Sequence, residues 1–165
     1  MKKYIIILLC SIVFLVGCSS DFKGIDKLMD YTIPEDYTIE KNVVYDNKNE
    51  LISIHYGKDD TSIYFIIMSY KGKAVMGSDE TIEDWLLTTE VNTEEYNLKD
   101  TDSKMYIYYP IAFSLGESDK KDMIEGMLDY QDYMIMIGMT NNHGDNLTDE
   151  EISTYYNILE SIKFK

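Results

Sequence analysis

Apolar positions along this chain keep different rhythms in different stretches, and each rhythm predicts an element. Tyr4 to Val16 is continuously apolar apart from Ser11. That is the length of a secretory h-region and falls short of the ~20 residues that cross a bilayer as a helix. Phe22, Ile25, Leu28 and Met29 then predict a short helix over 21–30. Pro34 forces an extended or turn conformation before a strand over 37–45. Leu51 to Tyr56 alternates, with Ile52, Ile54 and Tyr56 on one side, between turns at 46–49 and 57–60. Ser62 to Tyr70 (SIYFIIMSY) is apolar on both faces, which predicts a central strand covered on both sides.

Farther along, Ile82, Trp85 and Leu86 give one face of a helix over 79–90, with Asp79, Glu80, Glu83 and Asp84 loading its positive end. The polar stretch 93–101 reads as a loop. Met105 to Tyr109 reads as a strand that Pro110 breaks or places at an edge, with a continuation over 111–115. Met123–Tyr130 and Tyr133–Thr140 predict a hairpin around Gln131-Asp132, pairing Tyr130 with Tyr133, Leu128 with Ile135 and Met127 with Met136. One of its faces is wholly apolar. The other mixes Glu125 and Asp129 with Met127, Met134 and Met136, and predicts a further covering layer there. Last, Thr148-Asp149-Glu150-Glu151 is a capping box, flanked by Leu147 and Ile152 as a hydrophobic staple. Ile152, Tyr155, Tyr156, Leu159 and Ile162 form the apolar stripe of a helix over 149–161. The expected fold is α+β: a single antiparallel β-sheet flanked by helices.

Charge narrows the function classes. The 165 residues carry 30 acidic side chains against 15 lysines, no arginine, and a net charge of −15. Such a surface is repelled by phosphates, so nucleic acid is not an expected partner. Without arginine there is also no bidentate fork for carboxylates or phosphates.

The N-terminus carries a specific motif. Lys2 and Lys3 precede the h-region, which ends in Leu15-Val16-Gly17-Cys18. This resembles the lipobox of bacterial lipoprotein precursors. The resemblance implies diacylglyceryl transfer to the Cys18 sulfur and cleavage between Gly17 and Cys18. Residues 1–17 would then be a signal peptide, 18–23 the lipidated cysteine and a short tether, and 24–165 one extracytoplasmic domain. Cys10 would leave with the signal, and Cys18, already alkylated, would supply no disulfide, catalytic thiol or metal ligand. The localisation implied is a lipid-anchored position on the outer face of the cell membrane. The arginine-free, Lys/Ile/Tyr/Asn-rich usage is similar to that of low-GC Gram-positive bacteria. The order of elements, with Ile33-Pro34-Glu35-Asp36-Tyr37 near the start and Ile158 to Phe164 at the end, resembles the PsbP/Mog1-like α/β/α sandwiches found among small bacterial lipoproteins. That fold hosts varied binding roles and specifies none.

Candidate chemistry is sparse. His55 sits in a strand and reads as packed or solvent-facing. His143 lies in a turn-rich loop with Asp145 and Asp149, which together offer a weak cation site without EF-hand or zinc spacing. Asp59-Asp60 is no stronger. No serine sits in a GxSxG elbow. Met123, Met127, Met134, Met136 and Met139 gather thioethers that suit Cu(I), but an ordinary cross-strand packing pair accounts for Met127 and Met136. The expected function is therefore a membrane-anchored, non-enzymatic binding or accessory module for another extracytoplasmic protein, with no cofactor. A small-ligand or cation-binding surface lipoprotein is the alternative.

Overall fold

Residues 25–40, 44–46, 51–69, 82, 92–99, 101–110 and 121–165 are described by a computed structural model. The expected signal, Cys18 with its tether, the continuation at 111–115 and all but Ile82 of the helix expected over 79–90 lie outside them. At the centre is the strand Thr61–Ser69 (β5), whose nine residues are all buried except Ile66. It is antiparallel to Leu51–Lys58 (β4) on one side and to Tyr133–Asn141 (β9) on the other. Met123–Tyr130 (β8) follows β9, then Lys104–Tyr108 (β7), then Thr93–Asn97 (β6) at the far edge. Thr38–Ile39 (β2) and Val44–Asp46 (β3) share the other edge, end to end along β4.

Both hairpin registers follow the side-chain pattern. Tyr130 faces Tyr133, Leu128 faces Ile135 and Met127 faces Met136. The turns at Asp59-Asp60 and Gln131-Asp132 each place their first residue at positive φ, 49° and 53°, the sense that matches the twist of two-residue hairpins. β6 was expected as a loop. It is a strand because Thr93–Asn97 pairs residue for residue with Tyr108–Lys104, and its Tyr96 packs against Tyr156 at 5.7 Å between ring centroids. An edge strand needs an apolar side chain on one face only, so its polar composition concealed it.

The main core lies on one face of the sheet. Ile52, Ile54, Ile63, Phe65, Ile67, Ile124, Leu128, Ile135, Ile137 and Met139 meet the helix Asp149–Ser161 (α2) through Tyr155, Ile158 and Leu159. The capping box forms as expected: Thr148 Oγ1 accepts from Glu151 N at 3.2 Å, and Glu151 Oε2 accepts from Thr148 N at 2.7 Å. Lys163–Phe164 (β10) turns back from the helix and pairs with Met29–Asp30 (β1), directly after the four-residue helix Ile25–Leu28 (α1). Lys165 N–H donates to the Leu28 carbonyl at 3.0 Å, and Thr32 N–H to Ser161 Oγ at 2.9 Å. The segments 25–32 and 161–165 therefore meet at the C-terminal end of α2.

This corrects the expected fold. The chain is mostly β, with the large antiparallel sheet, a second two-stranded sheet and, among the described residues, one helix longer than a single turn. It is not one sheet flanked by helices on both sides, and the α/β/α likeness falls with that. The apolar residues of the second face predict a covering layer there, and helices on both faces of the sheet would supply one. Part of that cover is supplied by the sheet's own side chains and part by Ile82 from outside the sheet. Tyr64 lies flat across Gly138 of β9, where an added Cβ would fall inside its ring, and Ile82 packs on Tyr108 and Met127.

Candidate functional site

At the N-terminal end of α2 the Asp59-Asp60 turn meets the loop over 141–148 and encloses a pocket of about 380 Å³. Tyr37, Thr61, Asn141, Asn146 and Thr154 share its wall with Asp59, Asp60, Asp145, Glu150 and Glu151, and among the described residues Lys58 is the one cation lining it. That lysine is held by Asp36 at 2.6 Å and lies 5.7 Å from the centre of the Tyr37 ring. The Asp36 hydrogen bond raises the Lys58 pKa, and the same bond lowers that of Asp36. Burial alone would raise Glu151. Hydrogen bonds from Thr61 and from the backbone and hydroxyl of Thr148 outweigh it and keep this carboxyl below its usual range. Glu151 thus caps α2 and clamps it to the start of β5 at once. The wall is net negative and rich in acceptors, a surface that fits a basic group.

The loop is ordered from within. Asn141 Oδ1 accepts from the His143 and Asp145 backbone N–H groups, at 2.9 and 3.3 Å. Asn142 N–H donates to the Asp60 carbonyl at 2.7 Å, and its side-chain amide to Ser62 Oγ at 3.0 Å. His143 Nε2 sits 2.8 Å from Asp60 Oδ1. The expected grouping of His143 with Asp145 and Asp149 does not form, since the imidazole turns to Asp60 instead. Among the described residues no three His, Cys, Asp or Glu side chains converge as a metal-holding group. Sequence reasoning treated 59–60 and 141–149 as separate weak candidates, and the β5–β9 register brings them together. It missed Tyr37, Thr61 and Thr154 because nothing local marks them. His55 is half-buried, bonded to Ser53 at 2.8 Å and stacked on Tyr64 at 5.8 Å between ring centroids.

A second polar feature crosses the opposite face of the sheet from the core. Register aligns His55, Tyr64, Gly138, Glu125 and Tyr108 in one row over five strands. Gly138 supplies the gap through which the Tyr64 hydroxyl reaches Glu125 Oε1, while Tyr108 donates to Oε2 at 2.6 Å. Burial first, then the Glu125 charge and its hydrogen bond, raise both phenol pKa values well above the usual range. Burial raises the fully enclosed Tyr155 likewise, and Tyr156 is pushed up to about 12.

These shifts make stability pH-dependent. Tyrosines in the unfolded chain ionise near ~10, so above that pH the unfolded state gives up protons that the folded state keeps. The stabilisation is complete below ~10 and is lost as pH climbs toward the folded values, by up to ~1.4 kcal/mol per pH unit for each of Tyr64, Tyr108 and Tyr155. The urea midpoint should hold steady from about pH 8 to 10 and fall steeply above it, with Tyr64→Phe flattening the fall. A midpoint unchanged at about pH 11 would contradict the buried phenol–carboxylate arrangement.

No protein-family model matches the chain, and a search of curated proteins finds no similar sequence. No described helix is long and apolar enough to cross a membrane.

Proposed function

We propose that the protein is a lipid-anchored extracytoplasmic binding module that presents its acid-lined pocket away from the membrane to a basic segment of a partner protein. The observation that supports this reading is that Ile25, the described residue nearest Cys18 in sequence, and the pocket lie at opposite ends of α2. Cys18 precedes Ile25 by seven residues, a reach of at most ~25 Å even when fully extended. Ile25 opens α1, which is fastened to the C-terminal end of α2 through β1 and β10. The pocket lies at the other end of that helix, ~20 Å away by the rise of its 13 residues. A tether attached at one end leaves the other free to meet a partner. The net charge, two units more negative than −15 once Lys2 and Lys3 leave with the signal, favours the same orientation over an anionic bilayer.

Binding suits the pocket better than catalysis. Glu151 is already bonded to Thr61 and Thr148, so this carboxylate serves the structure of the site, and the remaining acids of the wall are left to meet a basic group. A photo-crosslinking residue at Asn146 of the membrane-held protein, in the cells that make it, should give one discrete protein adduct. The same residue at Lys163, near the anchor, should not. Asp59→Lys with Glu150→Lys should abolish the Asn146 adduct. No adduct at Asn146, equal adducts at both positions, or indifference to the charge reversal would overturn the reading.

A further inference from the structure

We infer that the outer edge of β6 takes up an extended, lysine-bearing segment of another protein as an added strand of the sheet. This goes beyond the pocket, which no residue of Thr93–Asn97 lines. β6 ends the large sheet, and among the described residues no strand pairs with its outer side. Thr93, Glu94, Glu95 and Asn97 are exposed, and Tyr96 is half-buried. The opposite edge of the sheet is divided between β2 and β3, of two and three residues, and offers an incoming strand no continuous ladder.

Register identifies the backbone groups that face outward. The two-residue turn at Gln131-Asp132 makes Tyr130 and Tyr133 a pair that exchanges both N–H···O=C bonds, and such pairs alternate along antiparallel strands. The Asn141 N–H bond to the Asp122 carbonyl, at 2.8 Å, keeps that alternation to the far end of the hairpin. In β8 the even-numbered residues therefore bond to β9 and the odd-numbered ones to β7. Carried across β7, the alternation bonds Glu94 to Ile107 and Tyr96 to Met105. Thr93, Glu95 and Asn97 then turn their N–H and C=O groups away from the sheet, a template for strand addition.

The side chains decide which strand fits. β6 carries Glu94 and Glu95 and no cation. Two copies of it laid edge to edge would bring four carboxylates together, so the edge resists pairing with itself. Lysine reverses the sign. Residues of an added strand opposite Glu94 and Tyr96 project to the side of α2, where Tyr96 packs against Tyr156 at 5.7 Å between ring centroids. A lysine there lays its apolar stem along the rings and brings its ammonium to Glu94. Residues opposite Thr93, Glu95 and Asn97 project to the other face, where Lys104 is bonded to Glu95 at 2.7 Å and disfavours a second cation. The segment that fits therefore alternates lysine with uncharged, β-branched residues.

The test uses the full chain in detergent and a capped peptide of alternating lysine and threonine, read by amide hydrogen exchange at single residues. Saturating peptide should slow the Thr93, Glu95 and Asn97 amides by about tenfold or more, since each gains a hydrogen bond, while Glu94 and Tyr96, already bonded to β7, change little. Glu94→Lys should weaken the peptide's affinity by about threefold or more. Asp59→Lys with Glu150→Lys should leave the slowing intact, which separates this edge from the pocket. The same peptide N-methylated at every residue keeps its charge but donates no backbone hydrogen bond, and should slow none of the three amides. Unchanged exchange at those amides, equal slowing by the methylated peptide, indifference to Glu94→Lys, or loss of the slowing in the pocket variant would overturn the inference.

Discussion

Replacing Tyr155 with alanine should lower the unfolding free energy by about 3–5 kcal/mol, read as a drop in the urea midpoint at neutral pH. Small domains of this kind are held by about 5–15 kcal/mol in total, so the loss is a large share of what keeps the chain folded. Tyr155 is the only fully enclosed aromatic residue of α2, at 0% exposure, and fills the space between the helix and β8–β9. Its ring meets Tyr156 edge-on at 5.7 Å. Its hydroxyl passes over Gly126 and donates to the Ile137 carbonyl at 3.0 Å. Alanine removes the packing, the hydrogen bond and the link between helix and sheet, and leaves a cavity flanked by Met105 that rigid strands cannot close. Tyr155→Phe keeps the ring and should cost only about 1 kcal/mol. Gly126→Ala approaches the same point from the sheet, since its Cβ would lie 2.7 Å from that hydroxyl and 2.6 Å from the Met105 sulfur. A loss below about 1 kcal/mol for Tyr155→Ala would mean that α2 does not close the core in this way.

The elements that announced themselves in the sequence are those whose determinants are local. Thr148 and Glu151 are three residues apart and cap the helix by themselves. The alternation on either side of Gln131-Asp132 fixes the hairpin register, because a slip of one residue would turn Ile135 and Ile137 out of the core. What stayed hidden depends on distant pairing. Nothing near Lys163-Phe164 indicates that it closes on Met29-Asp30, and nothing in Thr93–Asn97 marks an edge strand except its partner. The second face misled for a related reason. Apolar residues there report that the face is covered without reporting by what, and a tyrosine lying over Gly138 leaves the same pattern as a helix would.

The site was legible to the same degree. Asp59-Asp60 and the turn-rich loop around His143 were visible as acidic turns, but their union in one pocket follows from the long β5–β9 ladder. Tyr37 reaches the pocket from a segment that no motif connects with it. The row from His55 to Tyr108 is likewise a product of register: five strands contribute one residue each, and in sequence those residues share no spacing.

The central claim is that a lipid on Cys18 holds the pocket-bearing domain at the membrane, and one mass measurement addresses it directly. When the full chain is produced in a lipoprotein-processing bacterium and recovered from the membrane fraction, trypsin should release an N-terminal peptide running from Cys18 to Lys23. This peptide should carry a diacylglyceryl group on its sulfur, and Cys18→Ala should abolish both the cleavage at Gly17 and the modified peptide. A mature chain that begins at any other residue, an unmodified Cys18 thiol in the membrane-held protein, or normal processing and retention of Cys18→Ala would contradict it.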